Sequence, residues 1–156
     1  MATKDYSSKQ EKMIAEYLEW ECVVASGARP CHPGDISSDH WLGECKTHIV
    51  PGNRVKFVFK EWDKICEEAM SRGKFAVLFA DDGSQKEKNT WCMINARTAP
   101  LEYAQVPVIS TASKQSLFLT SELMNECDSS YFNVLKFDFN GRDVLIMRLS
   151  KFKSVC

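Results

Sequence analysis

The feature that most constrains the fold is the apolar run KFAVLFA at residues 74–80, which is followed directly by Asp-Asp-Gly. A continuous apolar stretch of this length, closed by turn residues, predicts a β-strand that is buried on both faces. The preceding segment, residues 59–72, carries apolar side chains at helical spacing and stops at Gly73, which predicts an amphipathic helix. A buried strand that follows an amphipathic helix is typical of an α/β domain.

Similar patterns along the rest of the chain predict further helices and strands. Residues 8–21 have helical periodicity, and Ser8 with Glu11 matches a capping box at the start of that helix. β-branched residues predict a strand that begins at Cys22 and ends near Ser26-Gly27. The remaining predictions are a strand over residues 90–95, a helix over 120–127, and a hairpin over 134–150 that turns at Asn140-Gly141.

Length and composition indicate one globular domain over residues 1–156. The chain has no apolar run near the roughly 18 residues that a membrane span needs, and its N-terminus does not resemble a secretory signal. Its seven cysteines have no paired CxxC spacing, which favours free thiols in a reducing cytoplasm. The net charge of −1 disfavours coating of nucleic acid by bulk charge, although it permits a local basic patch.

The segment PGDISSDHWLGECK, residues 33–46, predicts a β-hairpin with Ser-Ser-Asp-His as its turn. A turn centred on Ser38-Asp39 would pair Ile36 with Trp41. Side chains alternate along a strand, and paired residues share a face. This register therefore determines which charged residues of the hairpin point to the same side.

Three charged residues of this hairpin, Asp35, Glu44 and Lys46, are predicted to share one face. Asp35 and Glu44 would be diagonal neighbours, roughly 7–8 Å apart at the backbone. Two carboxylates at this separation repel each other unless a proton or a cation lies between them, and Mg²⁺ binds such oxygens at about 2.0–2.1 Å. The spacing alone is not specific, because in an arbitrary sequence it is more often three solvated charges on an exposed strand face.

The wider context resembles a known family. The stretch SGARPCHPGDISSDHWLGECKTH, followed by a helix containing EWDKICEEAMSRGK and then by FAVLFA, resembles the PD-(D/E)XK nuclease superfamily. It is most similar to small phage and archaeal Holliday junction resolvases and related phage endonucleases. Here the motif has PGD, whereas the family has proline directly before the aspartate. The resemblance covers residues 8–80, and it implies a restriction-endonuclease-like core, with a mixed central sheet flanked by helices; residues 81–156 have no assigned role.

The resemblance also implies an activity, a Mg²⁺-dependent endodeoxyribonuclease in which Mn²⁺ can substitute. Asp35 and Glu44, with the backbone carbonyl of Cys45, would hold the metal, and Lys46 would orient and activate the attacking water. Glu11 would complete a second metal position, with the capping role as its alternative. The implied partner is branched or duplex DNA, cut by a homodimer in the cytoplasm of a phage-infected or prokaryotic cell.

Other functions remain open at this point. Within the nuclease class, the alternatives are an exonuclease of recombination or replication and a restriction-like enzyme. Outside it, the chain could be a non-catalytic nucleic-acid-binding protein that keeps the nuclease fold, although an intact acidic pair with E-x-K argues against that. Asp81 and Asp82 are predicted to lie in an exposed loop. Residues that could contact phosphate are Arg29, His32, His40, His48, Arg54, Lys56 and Lys60.

Overall fold

The computed structural model describes residues 3–23, 35–52, 54–111 and 113–156, with side chains from residue 8 onward. Four α-helices lie within these residues: α1 (Thr3–Leu18), α2 (Phe59–Ser71), α3 (Ser121–Ser129) and α4 (Leu149–Val155). The strands are β1 (Glu21–Cys22), β2 (Ile36–Ser37), β3 (Trp41–Lys46), β4 (Val55–Val58), β5 (Phe75–Asp81), β6 (Thr90–Asn95), β7 (Val108–Ser110), β8 (Ser116–Leu119), β9 (Leu135–Phe139) and β10 (Arg142–Arg148).

Eight of these strands form one mixed sheet in the order β1-β2-β3-β5-β6-β10-β9-β7. The pairs β3/β5 and β7/β9 are parallel, whereas the other neighbours are antiparallel. Strands β4 and β8 pair separately in a small antiparallel sheet. The predicted α/β class with a mixed central sheet is confirmed.

Strand β5 is buried on both faces, as the apolar run predicts. Leu78 belongs to the apolar cluster that contains Trp62 of α2, and Phe79 belongs to a second cluster that contains Ile14 of α1. All four side chains are at most 1% exposed. Burial of side chains of this size contributes about 1.5–3 kcal/mol each. Because its two faces belong to different clusters, β5 joins the two layers of the core.

Helix α1 differs from its prediction at both ends. It begins at Thr3, so Ser8 and Glu11 lie inside the helix, and the predicted capping box is wrong. A capping serine must stand just before the first helical residue, whereas here the chain is already helical five residues earlier. The apolar periodicity marks only the buried turns of a helix, and it carries no signal for the polar turn that precedes them.

The end of α1 comes three residues earlier than predicted, and its geometry shows why. Glu19 has φ 60, in the left-handed region that commonly follows a helix. Its N–H donates to the Glu16 carbonyl at 3.3 Å, and the Trp20 N–H donates to the Ala15 carbonyl at 2.8 Å. These two bonds form a Schellman motif, which satisfies the last carbonyls of the helix and turns the chain toward β1.

The hairpin β2–β3 forms, but its register is shifted by two residues from the predicted one. Ile36 pairs with Gly43 instead of Trp41. The turn is centred one residue later, on Asp39-His40, because the Ser38 N–H donates to the Trp41 carbonyl at 3.0 Å and the Trp41 N–H donates to Ser38 Oγ at 3.2 Å. A shift of two residues is even, so the paired residues of β2 and β3 keep their predicted faces.

Some of the remaining predictions concern described residues, and others concern residues outside the described part of the chain. The hairpin turn at Asn140-Gly141 is confirmed, with φ 56 and 86, the left-handed pair expected of a type I′ turn. The predicted strand after Cys22 enters residues 24–34, which lie outside the described residues together with Ser26-Gly27, Arg29, Cys31 and His32. The six described cysteines are free thiols. Within the described part of the chain, no helix is both long and apolar enough to cross a membrane.

Candidate active site

Three carboxylates predicted for the site come together at one end of β3. Burial raises the pKa of Glu11 from 4.5 to about 7, with further contributions from the charges of Asp35 and Glu44. Burial and the charge of Asp35 raise the pKa of Glu44 to about 6, against the opposing effect of Lys46. Like charges shift each other's pKa in this way only at short range, so the three groups form one cluster.

Asp35 lies against β3 beside Glu44, although not in the diagonal pairing that was predicted. Asp35 precedes β2, and its N–H donates to the Gly43 carbonyl at 2.8 Å, so Asp35 lies against Gly43 together with Ile36 instead of pairing with Glu44. Asp35 Oδ2 accepts the Cys45 N–H at 2.8 Å, so its carboxylate lies against the backbone of β3. Since the N–H and C=O of one strand residue point the same way, the Cys45 carbonyl is directed to the same side of β3 as Asp35.

Lys46 lies between two glutamates. Its Nζ is 3.3 Å from Glu44 Oε1 and 3.2 Å from Glu61 Oε2, and Glu61 belongs to the first turn of α2. Burial lowers the pKa of Lys46, but the charges and hydrogen bonds of the two glutamates raise it by a larger amount. The net shift of the Lys46 pKa is therefore upward. The ammonium group therefore stays charged at neutral pH and is held in place from two elements.

Helix α1 is anchored to β3 by a buried glutamine, which was not predicted. Gln10 is 0% exposed, and its Nε2 donates to the Lys46 carbonyl at 2.7 Å. Glu11 is the next residue in the chain, so this bond holds the helix turn that carries Glu11 beside the end of β3. A helical sequence pattern gives no indication of which strand a buried amide contacts.

The prediction that Asp81 lies in an exposed loop is wrong. Asp81 is 1% exposed, and it accepts the Thr47 hydroxyl at 2.7 Å and the N–H groups of Gly83 and Gln85 at 3.1 and 3.0 Å. Burial raises its pKa, partly countered by these hydrogen bonds. It is therefore not part of an exposed loop but a buried link between the segments after β3 and β5. Asp82 is half-buried and accepts the Ser84 N–H at 2.9 Å.

A cleft of about 280 Å³ opens beside the lysine. Its lining residues are Lys46, Thr47, His48, Lys56, Val58, Glu61, Ala80 and Asp81. Of the basic residues that flank the motif, Lys56 and His48 therefore face the cleft, whereas the Arg54 guanidinium lies 5.1 Å from the Phe118 ring centroid. His40 lies at the opposite end of β3, where its carbonyl accepts the Phe75 N–H at 2.8 Å, so it is not part of the site.

The charges of the cluster do not balance. Glu11, Asp35, Glu44 and Glu61 carry up to four negative charges, and Lys46 is the cation in direct contact with two of them. Within the described side chains, no group of three or more His, Cys, Asp or Glu residues is already arranged to hold a metal ion. Asp35 Oδ2 accepts the Cys45 N–H and Glu44 Oε1 lies beside Lys46, so each of these two carboxylate oxygens already has a partner in the protein.

No family model, no curated protein and no solved structure matches the chain. The oxygen ligands of the cluster and its excess negative charge suit a hard divalent cation, and a charged lysine beside them suits stabilisation of an anion.

Proposed function

We propose that this chain is a metal-dependent deoxyribonuclease of the PD-(D/E)XK type that hydrolyses phosphodiester bonds. The observation that carries the proposal is the contact of the Asp35 carboxylate with the N–H of Cys45, the residue between Glu44 and Lys46 on β3. The fold supports it as well. Helix α1, the antiparallel strands β1–β3, helix α2 and the parallel strand β5 occur in the order of the segments that carry the sequence resemblance, with the short strand β4 between β3 and α2.

The donor set fits Mg²⁺, with Mn²⁺ as a substitute. Asp35, Glu44 and the backbone carbonyl of Cys45 would hold the ion, since all three offer oxygen. Burial and the charge of Asp35 raise the pKa of Glu44, and a divalent ion beside the two carboxylates would offset their repulsion. Bound there, the ion would supply Lewis-acid chemistry, lowering the pKa of a water and offsetting charge on the phosphate.

Side chains around the acidic pair would position the other reactants. Lys46 would orient the attacking water and favour its hydroxide form, because Glu44 and Glu61 keep its ammonium group charged and fixed. Glu11 would add a carboxylate for a second metal position. Its location inside α1 removes the capping role that was its alternative explanation.

The substrate we propose is branched or duplex DNA, cut by a homodimer inside the cell. Within the described residues, Lys56 and Lys60 form no ion pair, so both are available to phosphate near the cleft. Free thiols at the six described cysteines are compatible with a reducing compartment. Junction selectivity and dimerisation rest on the family resemblance.

The decisive experiment compares single-turnover cleavage of a four-way junction, a flap, a linear duplex and single-stranded DNA, in Mg²⁺ and in EDTA. Asp35→Asn and Glu44→Gln should abolish Mg²⁺-supported cleavage while leaving circular dichroism unchanged. Asp39→Asn, an exposed turn residue of the same hairpin, is the matched control and should cleave normally. Full activity in EDTA would exclude the metal mechanism. Binding in a gel-shift assay with no cleavage of any substrate would instead identify a DNA-binding protein.

A further inference from the structure

Two adjacent apolar residues are exposed on the loop that follows β3. Ile49 is 58% exposed and Val50 is 65% exposed, and Pro51 comes next. Isolated apolar residues on a surface are ordinary, whereas a contiguous exposed group indicates a contact. Packing in the core therefore does not explain why two apolar residues stand exposed at this place.

This loop tip stands at the rim of the cleft beside the proposed active site. Ile49 is three residues beyond Lys46, and the intervening Thr47 and His48 line the cleft. Lys56 lines the same cleft from β4. The apolar tip therefore lies within a few residues of the cleft that a DNA phosphate would enter.

The loop is braced against the rest of the fold. Thr47 Oγ1 donates to buried Asp81, and Asp81 also holds the turn that contains Gly83. Gly83 has φ +93, and a Cβ at this position would lie 2.6 Å from the Val50 carbonyl oxygen. The backbone of the loop thus rests directly on the turn after β5, and this support holds the apolar pair in a defined place.

We propose that Ile49 and Val50 form a wedge that inserts between neighbouring bases of the DNA substrate, next to the bond that is cut. The inference rests on the proposed function and deepens it, because it assigns the residues that select distorted or branched DNA. Apolar side chains such as Ile and Pro unstack base steps in other DNA-bending proteins, while cations nearby hold the phosphates. A junction or flap has weakened stacking at its branch point, so a wedge enters there at lower cost than in a continuous duplex.

The first test measures base unstacking without cleavage. A four-way junction carries 2-aminopurine at the branch point, and Lys46→Met, used to prevent cleavage, is mixed with it in Mg²⁺. Binding should raise the fluorescence, and adding Ile49→Ser and Val50→Ser to Lys46→Met should remove most of that rise at saturating protein. An equal rise with and without the two serines would overturn the wedge.

A matched control uses two other exposed apolar residues, Met70 and Leu101, which are 80% and 92% exposed. Both lie toward the opposite end of the sheet, since Met70 precedes the start of β5 and Leu101 follows the end of the antiparallel strand β6. Met70→Ser with Leu101→Ser, in the same Lys46→Met background, should keep the fluorescence rise. Equal loss in this control would show a general effect of surface polarity and would overturn the proposal.

The second test measures cleavage by the chain with Lys46 intact. The substrates are a fully paired junction and the same junction with two unpaired bases at its centre. For Ile49→Ser with Val50→Ser, the rate should fall more on the paired junction, by about tenfold or more relative to the unpaired one. Equal losses on both substrates would contradict the wedge.

These arms separate the two proposals. If the unsubstituted chain cuts no DNA, the nuclease proposal fails, and the fluorescence arm, which needs only binding, still decides the wedge. If the unsubstituted chain cuts DNA, the wedge alone fails when the two serines change neither the fluorescence rise nor the ratio of the cleavage rates on the paired and the unpaired junction. Conversion of a dimer to a monomer by the two serines, with the fluorescence unchanged, would show that the pair is a subunit contact and would also overturn the wedge.

Discussion

Glu11→Gln should stabilise the metal-free protein at alkaline pH. The pKa of Glu11 is raised to about 7 in the folded chain by burial and by the charges of Asp35 and Glu44. Above that pH the folded protein holds a charged carboxylate that the unfolded chain accommodates more easily. Glutamine keeps the shape and removes the charge, so the variant lacks this cost.

The size of the effect follows from the shift in pKa. The rise from 4.5 to about 7 corresponds to an upper limit of about 3.4 kcal/mol. Glu11 is only partly buried, and solvent screening reduces this to about 1–2 kcal/mol. For a domain of this length, the melting temperature should rise by about 3–6 °C.

The pH dependence has a definite sign. A folded pKa above the unfolded one means that the native state binds more protons between pH 4.5 and about 7, so wild-type stability falls as pH rises through that window. The gain from Glu11→Gln should therefore be full at pH 8 and absent at pH 4. Saturating Mg²⁺ should reduce the gain at pH 8, because a bound cation stabilises the wild-type cluster.

Melting by circular dichroism in EDTA, at pH 4, 6 and 8, tests this. The control is Glu16→Gln, an exposed glutamate on the same helix, whose melting temperature should match wild type at each pH. A Glu11→Gln variant that is no more stable than wild type at pH 8 would refute the clustering of the three carboxylates. Cleavage measured on the same preparation should be largely lost if Glu11 contributes to the metal site.

Three further outcomes test other parts of the structure. Lys46→Met should lower single-turnover cleavage by about 10²–10⁴ while DNA binding persists, whereas Arg72→Met, at the exposed C-cap of α2 near the start of β5, should stay close to wild type. Glu61→Gln should lower the pKa of Lys46, so the alkaline fall of the pH–rate profile should move to lower pH; an unmoved profile would exclude this positioning role. Gly43→Ala should destabilise the fold by about 1–3 kcal/mol in urea titration, because its Cβ would lie 2.6 Å from Phe79 Cε2.

The sequence alone was sufficient for elements whose cause is local. Helix α2, strand β5 and the Asn140-Gly141 hairpin were predicted from apolar periodicity and turn chemistry, and each lies close to its predicted position. The faces of the β2–β3 hairpin were also predicted correctly in spite of the wrong register. Alternation has a period of two, and the error was two residues, so Glu44 and Lys46 kept their common side.

Only the tertiary structure decided how the candidate site is held. Gln10 bonds the backbone of Lys46 across 36 positions of sequence, and Thr47 bonds Asp81 across 34. No local pattern specifies such partners, because they depend on how α1 and β5 pack against β3. The same reason explains why Glu61 was missed and why Asp81 was predicted to be exposed. Periodicity and turn chemistry act between near neighbours in the chain, whereas the burial and charge balance of this site arise between elements that meet only in the folded protein.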